Sequence, residues 1–211
     1  MRILQKLMTI AALLLLAVSC KKEDEDLLPK QRERMVQYLT SSHAPRLVAE
    51  EEVESGTEQP FYSVFGNAVY RYIDGYYNPD RASRAEVSEE SKVTITFRAY
   101  RFNFTNIVVD GKSITMPYYT NDPLLKELFF TSIEEGGAGL TPGAWSFEPL
   151  VIDLKSDPLL SGLRLALIGC RERDRVEAFM TYNMAYGDDI QFNIIEKEQP
   201  IAIFFTIDKV E

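Results

Sequence analysis

Two periods of apolar residues run through this chain, and the places where one gives way to the other mark its elements. Residues 92–104 alternate, with Val93, Ile95, Phe97 and Ala99 on one face and Thr94, Thr96, Arg98 and Tyr100 on the other, which predicts a half-buried strand. Earlier, Leu28, Met35, Val36 and Leu39 fall on one stripe at helical spacing, and Pro29 suits a first turn, so the pattern predicts a helix over 29–41. The aromatic stretch 61–77 reads as β-structure, with Val69, Tyr70, Tyr72 and Ile73 at strand positions and Asp74-Gly75 as a turn. From 157 onward the order is a short apolar helix after Pro158, an alternating strand, an Ala185-Tyr186-Gly187 corner, a loop with Ile194-Ile195, and a closing strand.

Between these periodic runs the chain is polar or glycine-rich. Residues 50–57 bring Glu50, Glu51, Glu52 and Glu54 ahead of Ser55-Gly56-Thr57, which predicts an exposed linker with no metal-loop spacing. Val108-Val109-Asp110-Gly111-Lys112 predicts a strand and hairpin turn, 123–130 a short helix, and 145–154 an extended run. Gly136-Gly137-Ala138-Gly139 lacks the Lys-Ser/Thr of a phosphate loop and is read as a loop tip.

Composition adds a leader and a charge constraint. Arg2 and Lys6 precede eleven apolar residues, 8–18, too short for the ~20 that span a bilayer, and Ser19-Cys20 follows. Leu16-Ala17-Val18-Ser19-Cys20 resembles a bacterial lipobox, which implies cleavage before Cys20 and a lipid on its thiol. Residues 1–19 carry two positive and no negative charges, so the chain's net charge of −9 becomes −11 without them. Such acidity argues against a nucleic-acid partner. The run 21–26 (KKEDED) buries nothing and serves as a tether; in lipoproteins of Bacteroidota type an acidic run at this place resembles a surface-display signal. The lone histidine, His43, falls in a turn, and Cys170 sits in an apolar run that makes it a buried small hydrophobe. No metal and no cofactor are expected, and no nucleophile and base share a suitable spacing.

The order strand, helix, strand, A-Y-G, strand over 148–211 resembles the FKBP-type peptidyl-prolyl isomerases. Pro149-Leu150-Val151-Ile152-Asp153-Leu154 stands where that family has its P-F-x-F-x-L strand, Leu159-Leu160-Ser161-Gly162-Leu163 at its helix start, and Ala185-Tyr186-Gly187 matches outright. The resemblance implies an α+β fold: a curved antiparallel sheet of about five strands on one short helix, with an N-terminal helical extension. Its organisation would be a signal peptide at 1–19, a lipidated acidic tether at 20–27, a helical extension and linker at 28–60, and an FKBP-like domain at 61–211.

The resemblance also implies a site that needs no acid or base. Leu163 would be the floor, where the family has tryptophan; Phe97, Leu150 and Ile203 would be the walls. Leu159 and Leu160 would offer edge and backbone contacts, the Leu160 N–H donating to the ligand, and Tyr186 beside Ala185 would hold a substrate carbonyl while Ile195 closes the rim. The family's acidic pocket residue falls nearest Asp122. The family's floor tryptophan, strand tyrosine and closing-strand phenylalanine are all replaced, and at ~1 kcal/mol each the three changes together would lower activity by roughly two orders of magnitude. Two functions follow: an isomerase with a degenerate site acting on proline-containing exported polypeptides from a lipid anchor in the outer membrane, on its periplasmic or surface face, or a non-catalytic FKBP-like module that binds a protein partner of the cell envelope.

Overall fold

A computed structural model describes residues 27–103, 106–109, 112–126, 146–191 and 195–211. Cys20, the leader, most of the tether and the glycine run lie outside the described residues. Helix α1 covers 27–37 and runs into a π-helical turn at Tyr38–Ser42. The strands are β1 (Val48–Ala49), β2 (Phe61–Phe65), β3 (Val69–Asp74), β4 (Lys92–Arg101), β5 (Asn106–Val109), β6 (Lys112–Thr115), β7 (Tyr119–Thr120), β8 (Leu150–Asp153), β9 (Arg175–Met180) and β10 (Ile201–Val210). Helix α2 is Ser161–Leu167.

Eight of these strands form one sheet in the order β1-β2-β3-β9-β10-β4-β7, with β8 sharing the β7 side of β4, while β5 and β6 make a separate hairpin. The sheet is mixed: β1 runs parallel to β2, and the other pairs are antiparallel. That corrects the expected five-stranded antiparallel sheet. The extra strands are two residues long at β1 and β7, too short to show a period of two, and β2 and β3 divide the single aromatic stretch at residues 66–68. Glu50–Glu52, expected in an open linker, forms a turn of 3-10 helix straight after β1.

Between β7 and β8 one side chain stands in for a strand. Asn121 is buried; its Oδ1 accepts from Phe97 N at 2.6 Å, and its Nδ2 donates to Ile95 O at 3.0 Å and Glu148 O at 3.1 Å. An amide carries both donors and an acceptor, so it satisfies the edge of β4 where two short strands leave a gap.

Register explains how the sheet buries both faces. Ala99, Ile203 and Ala178 align in one row, and Phe97, Phe205, Val176 and Ile73 in the next. Small alanines let α2 lie close, and its Leu163, Ala166 and Leu167 complete a core with these rows. On the other face Tyr100, Ala202, Phe179 and Tyr70 form a row, and Met35 and Leu39 at the α1 end cover it. Met35 and Leu39 are fully buried, each contributing about 1.5–3 kcal/mol over an exposed position.

Candidate functional site

Helix α2 has seven residues, too few to persist alone, so its position comes from its neighbours. Leu160 takes the N-cap position without a side-chain cap. Arg164 ties the approach down: its Nη1 donates to Leu154 O, and its Nη2 to Asp157 O at 3.0 Å. At Gly162 a Cβ would lie 2.6 Å from Met180 Sδ and 2.8 Å from Met184 O, so glycine lets the helix start press on β9 and on the 3-10 turn Tyr182–Met184. That turn leads into Ala185 and Tyr186. The helix start and the A-Y-G corner are therefore fixed against each other.

The structure gathers Phe97, Leu163, Ile195 and Ile203 into one buried apolar cluster, with Leu159, Leu160, Ala185 and Tyr186 packed against it. Leu163 is 9% exposed and Ile203 4%. Ile195 is fully buried and closes its loop through paired backbone bonds with Gln191, at 2.9 and 3.1 Å. Leu150 stands apart, 41% exposed on the short β8 opposite Ile95. Asp122 also departs from its expected place. Its carboxylate meets Arg98 at 2.6 Å and accepts from Leu124 N at 2.9 Å, beyond the cluster and beside the opposite face of β4.

Sequence reasoning missed the partner of Tyr186. Tyr118, at the entry to β7, places its hydroxyl 3.2 Å from the Tyr186 hydroxyl, with the ring centroids 6.4 Å apart at 70°. Either oxygen can donate. Burial pushes both phenols above their ordinary value, so both stay neutral at physiological pH. Tyr119, beside it, sets its ring 5.3 Å from that of Phe97. The Tyr118-Tyr119 doublet was visible in the sequence, but nothing local indicated that its first ring meets residue 186.

A second missed residue comes from α1. Gln31 is buried, and it bonds both loops that flank the corner: Nε2 donates to Glu198 O at 2.8 Å, and Oε1 accepts from Tyr182 N at 3.0 Å. Glu198 N donates to Gly187 O at 3.0 Å, and Gly187 N to Tyr182 O at 2.8 Å. These bonds close a circuit through Gln31, Tyr182, Gly187 and Glu198. Tyr186 sits inside it.

Two cavities, of about 810 and 350 Å³, open elsewhere, and neither is lined by Tyr186 or Leu163. Among the described residues no group of three His, Cys, Asp or Glu side chains could hold a metal ion, and no helix is long and apolar enough to cross a membrane. Cys170 is fully buried, and burial pushes its thiol up to about 12, which keeps it protonated and inert.

No family model matches the chain, and no curated protein matches it. Solved structures similar to it are FKBP-type immunophilins. The N-terminal domain of FKBP42 from Arabidopsis thaliana is 13% identical with a TM-score of 0.44, over 75% of this chain and 98% of that one. A multi-domain immunophilin from Arabidopsis thaliana is 14% identical with a TM-score of 0.43, over 71% of this chain; the chain spans 45% of its length. FkpA from Escherichia coli is 12% identical with a TM-score of 0.43, over 99% of this chain and 71% of that one.

Proposed function

We propose that this chain is an FKBP-like, proline-binding domain of the bacterial cell envelope, acting as a peptidyl-prolyl isomerase on exported polypeptides and held to the membrane by a lipid on Cys20. One observation carries the reading of the site: Leu159, Leu160, Leu163, Phe97, Ile203 and the Ala185-Tyr186 corner pack into one apolar cluster although they come from separate elements. Rotating an X-proline bond requires crossing a barrier of about 20 kcal/mol as the amide loses its resonance. An apolar surface that holds the proline ring, with the Tyr186 hydroxyl on a flanking carbonyl, favours the twisted amide, whose polarity is lower than that of the planar one. No proton moves in this scheme, which suits two neutral phenols.

A specific contact supports the second reading, a non-catalytic binding module. The Tyr186 hydroxyl is already engaged with Tyr118, and the floor is a nearly buried leucine. The deciding measurement uses the purified chain with a Leu-Pro peptide. An isomerisation rate above the uncatalysed one, lowered about tenfold in Tyr186→Phe, supports the isomerase. Peptide binding without a rate supports the module, and neither binding nor rate refutes both. The lipid anchor is tested separately: Cys20→Ala should move the chain from the membrane to the soluble fraction.

A further inference from the structure

Arg71 lies on β3, and its side chain reaches the C-terminal end of α2. It is 9% exposed, and its guanidinium carries five N–H donors and no acceptor. Its bonds all leave through Nη1: to Ile168 O at 2.6 Å, Ala166 O at 3.1 Å and the Cys170 sulfur at 3.6 Å. Nε is buried without a partner. The Phe65 ring covers one face, its centroid 4.5 Å from Cζ. The helix end supplies about half a negative charge, and among the described residues no carboxylate pairs with the group. That contrasts with Arg81, whose guanidinium bonds Asp174 through both Nε and Nη2.

The same Arg71 lines the cavity of about 810 Å³, within the size range of small-molecule sites. Phe61, Tyr76 and Tyr77 form its aromatic wall. Their rings meet edge to face: Phe61 and Tyr76 at 4.8 Å and 77°, Tyr76 and Tyr77 at 5.4 Å and 83°. Arg81 holds the Tyr76 ring from behind at 4.6 Å, and Arg81 is itself fixed by Asp174. Glu58 and Asp74 also line the cavity, and Asp74 is paired with Arg175 at 2.5 Å. The aromatic part of the lining is thus held together by ring contacts, with Ser63 and Asn78 among its polar neighbours, and beside it stands Arg71, whose Nη2 takes no part in the bonds to the helix end. A guanidinium N–H takes a carboxylate oxygen through a charge-assisted bond, stronger than a neutral one.

We infer that this cavity binds a carboxylate carried on an aromatic or other apolar body, the carboxylate on Nη2 of Arg71 and the body against Phe61, Tyr76 and Tyr77. A free aromatic acid and the C-terminus of a peptide ending in an aromatic residue share this chemistry. The site is separate from the Tyr186 cluster and does not depend on isomerase activity.

The test titrates the full chain with phenylacetate, with its neutral amide, and with a tetrapeptide ending in phenylalanine as free acid or as C-terminal amide. At least one acid should bind about tenfold more tightly than its own amide, the expected worth of a charge-assisted hydrogen bond. Which acid binds identifies the source. Tyr76→Ala should weaken that acid about tenfold while leaving the folded chain's melting temperature within a few degrees. Arg71→Gln should erase the preference for acid over amide; if that variant does not fold, the Tyr76→Ala comparison decides. Equal binding of acid and amide, absence of binding by both acids, or acid binding untouched by Tyr76→Ala overturns the assignment.

Discussion

Replacing Gln31 with alanine tests whether α1, on one face of the sheet, holds the corner that carries Tyr186. The change deletes two hydrogen bonds from a 4% exposed side chain: one from Nε2 to Glu198 O at 2.8 Å, one from Tyr182 N to Oε1 at 3.0 Å. At about 1 kcal/mol each, with a small cavity added, the loss is about 2–3 kcal/mol. If the circuit through Gly187 and Glu198 acts as a unit, the loss falls locally. Hydrogen exchange should then quicken for the amides of Ala185, Gly187 and Glu198, while the β4 and β10 amides change no more than global stability requires. Affinity for a Leu-Pro peptide should fall with it. Gln31→Glu keeps the acceptor for Tyr182 N but turns a charge toward Glu198 O, so it should loosen the corner at least as much. An unfolding free energy lowered by the full amount, with exchange raised uniformly, would show that α1 only adds core area and does not position the corner.

Three further outcomes follow from other contacts. Asp174 is 1% exposed and accepts from Arg81 Nε, Arg81 Nη2 and Arg171 N, so Asp174→Asn strands a buried guanidinium and should cost about 3–5 kcal/mol in denaturant unfolding. His43 is buried, which works against its charge, but Glu177 Oε2 at 2.9 Å from Nε2 and Pro45 O at 2.5 Å from Nδ1 both favour the imidazolium and hold its pKa above the ordinary value. Its contribution is therefore complete below about pH 6.5 and is lost as pH rises through the raised value. The stability gap between the native chain and His43→Gln should narrow over that rise, and a gap constant from about pH 5 to about pH 9 would refute the pairing. Gly162→Ala forces a methyl against Met184 O, a backbone atom, so it should destabilise by about 1–3 kcal/mol and disturb the Tyr182–Met184 turn.

Much of the sheet was legible where one face is buried and the other is not. Strand β4 alternates from Lys92 to Ala99, and the sequence showed it directly, whereas β10 alternates only from Ile203 to Asp208, its first three residues all being buried. The pair β2 and β3 blurred into a single aromatic stretch because β3 is buried on both faces, from Val69 through Ile73, once α1 covers the second. A strand with no solvent face has no alternation to read. The site divided the same way. Ala185-Tyr186-Gly187 and the leucines before α2 are local strings and could be found, whereas Tyr118 meets Tyr186 across 68 residues and Gln31 meets Glu198 across 167. His43, read as a turn residue, is enclosed by Tyr38, Tyr72 and Phe179 and joined to Glu177, 134 residues away. Leu150 was expected in a wall and stands 41% exposed on β8, a strand that pairs with β4 alone among the described strands.

Helix α2 links the two regions of interest by being so short. At about 1.5 Å per residue its seven residues span about 10 Å, with Leu160 and the Tyr186 cluster at its start and the Arg71 guanidinium on its last carbonyls. Such a helix gains little from its own hydrogen bonds. Its position is the sum of Gly162 against Met180 and Met184, Arg164 on Leu154 and Asp157, and Arg71 at the far end. Removing any of these shifts the same rigid piece, so a loss of peptide binding in an Arg71 variant does not by itself locate a ligand. Tyr76 touches no part of α2 in its ring contacts, which run to Phe61, Tyr77 and Arg81. A substitution at Tyr76 therefore separates a ligand held in the cavity from a helix held in place.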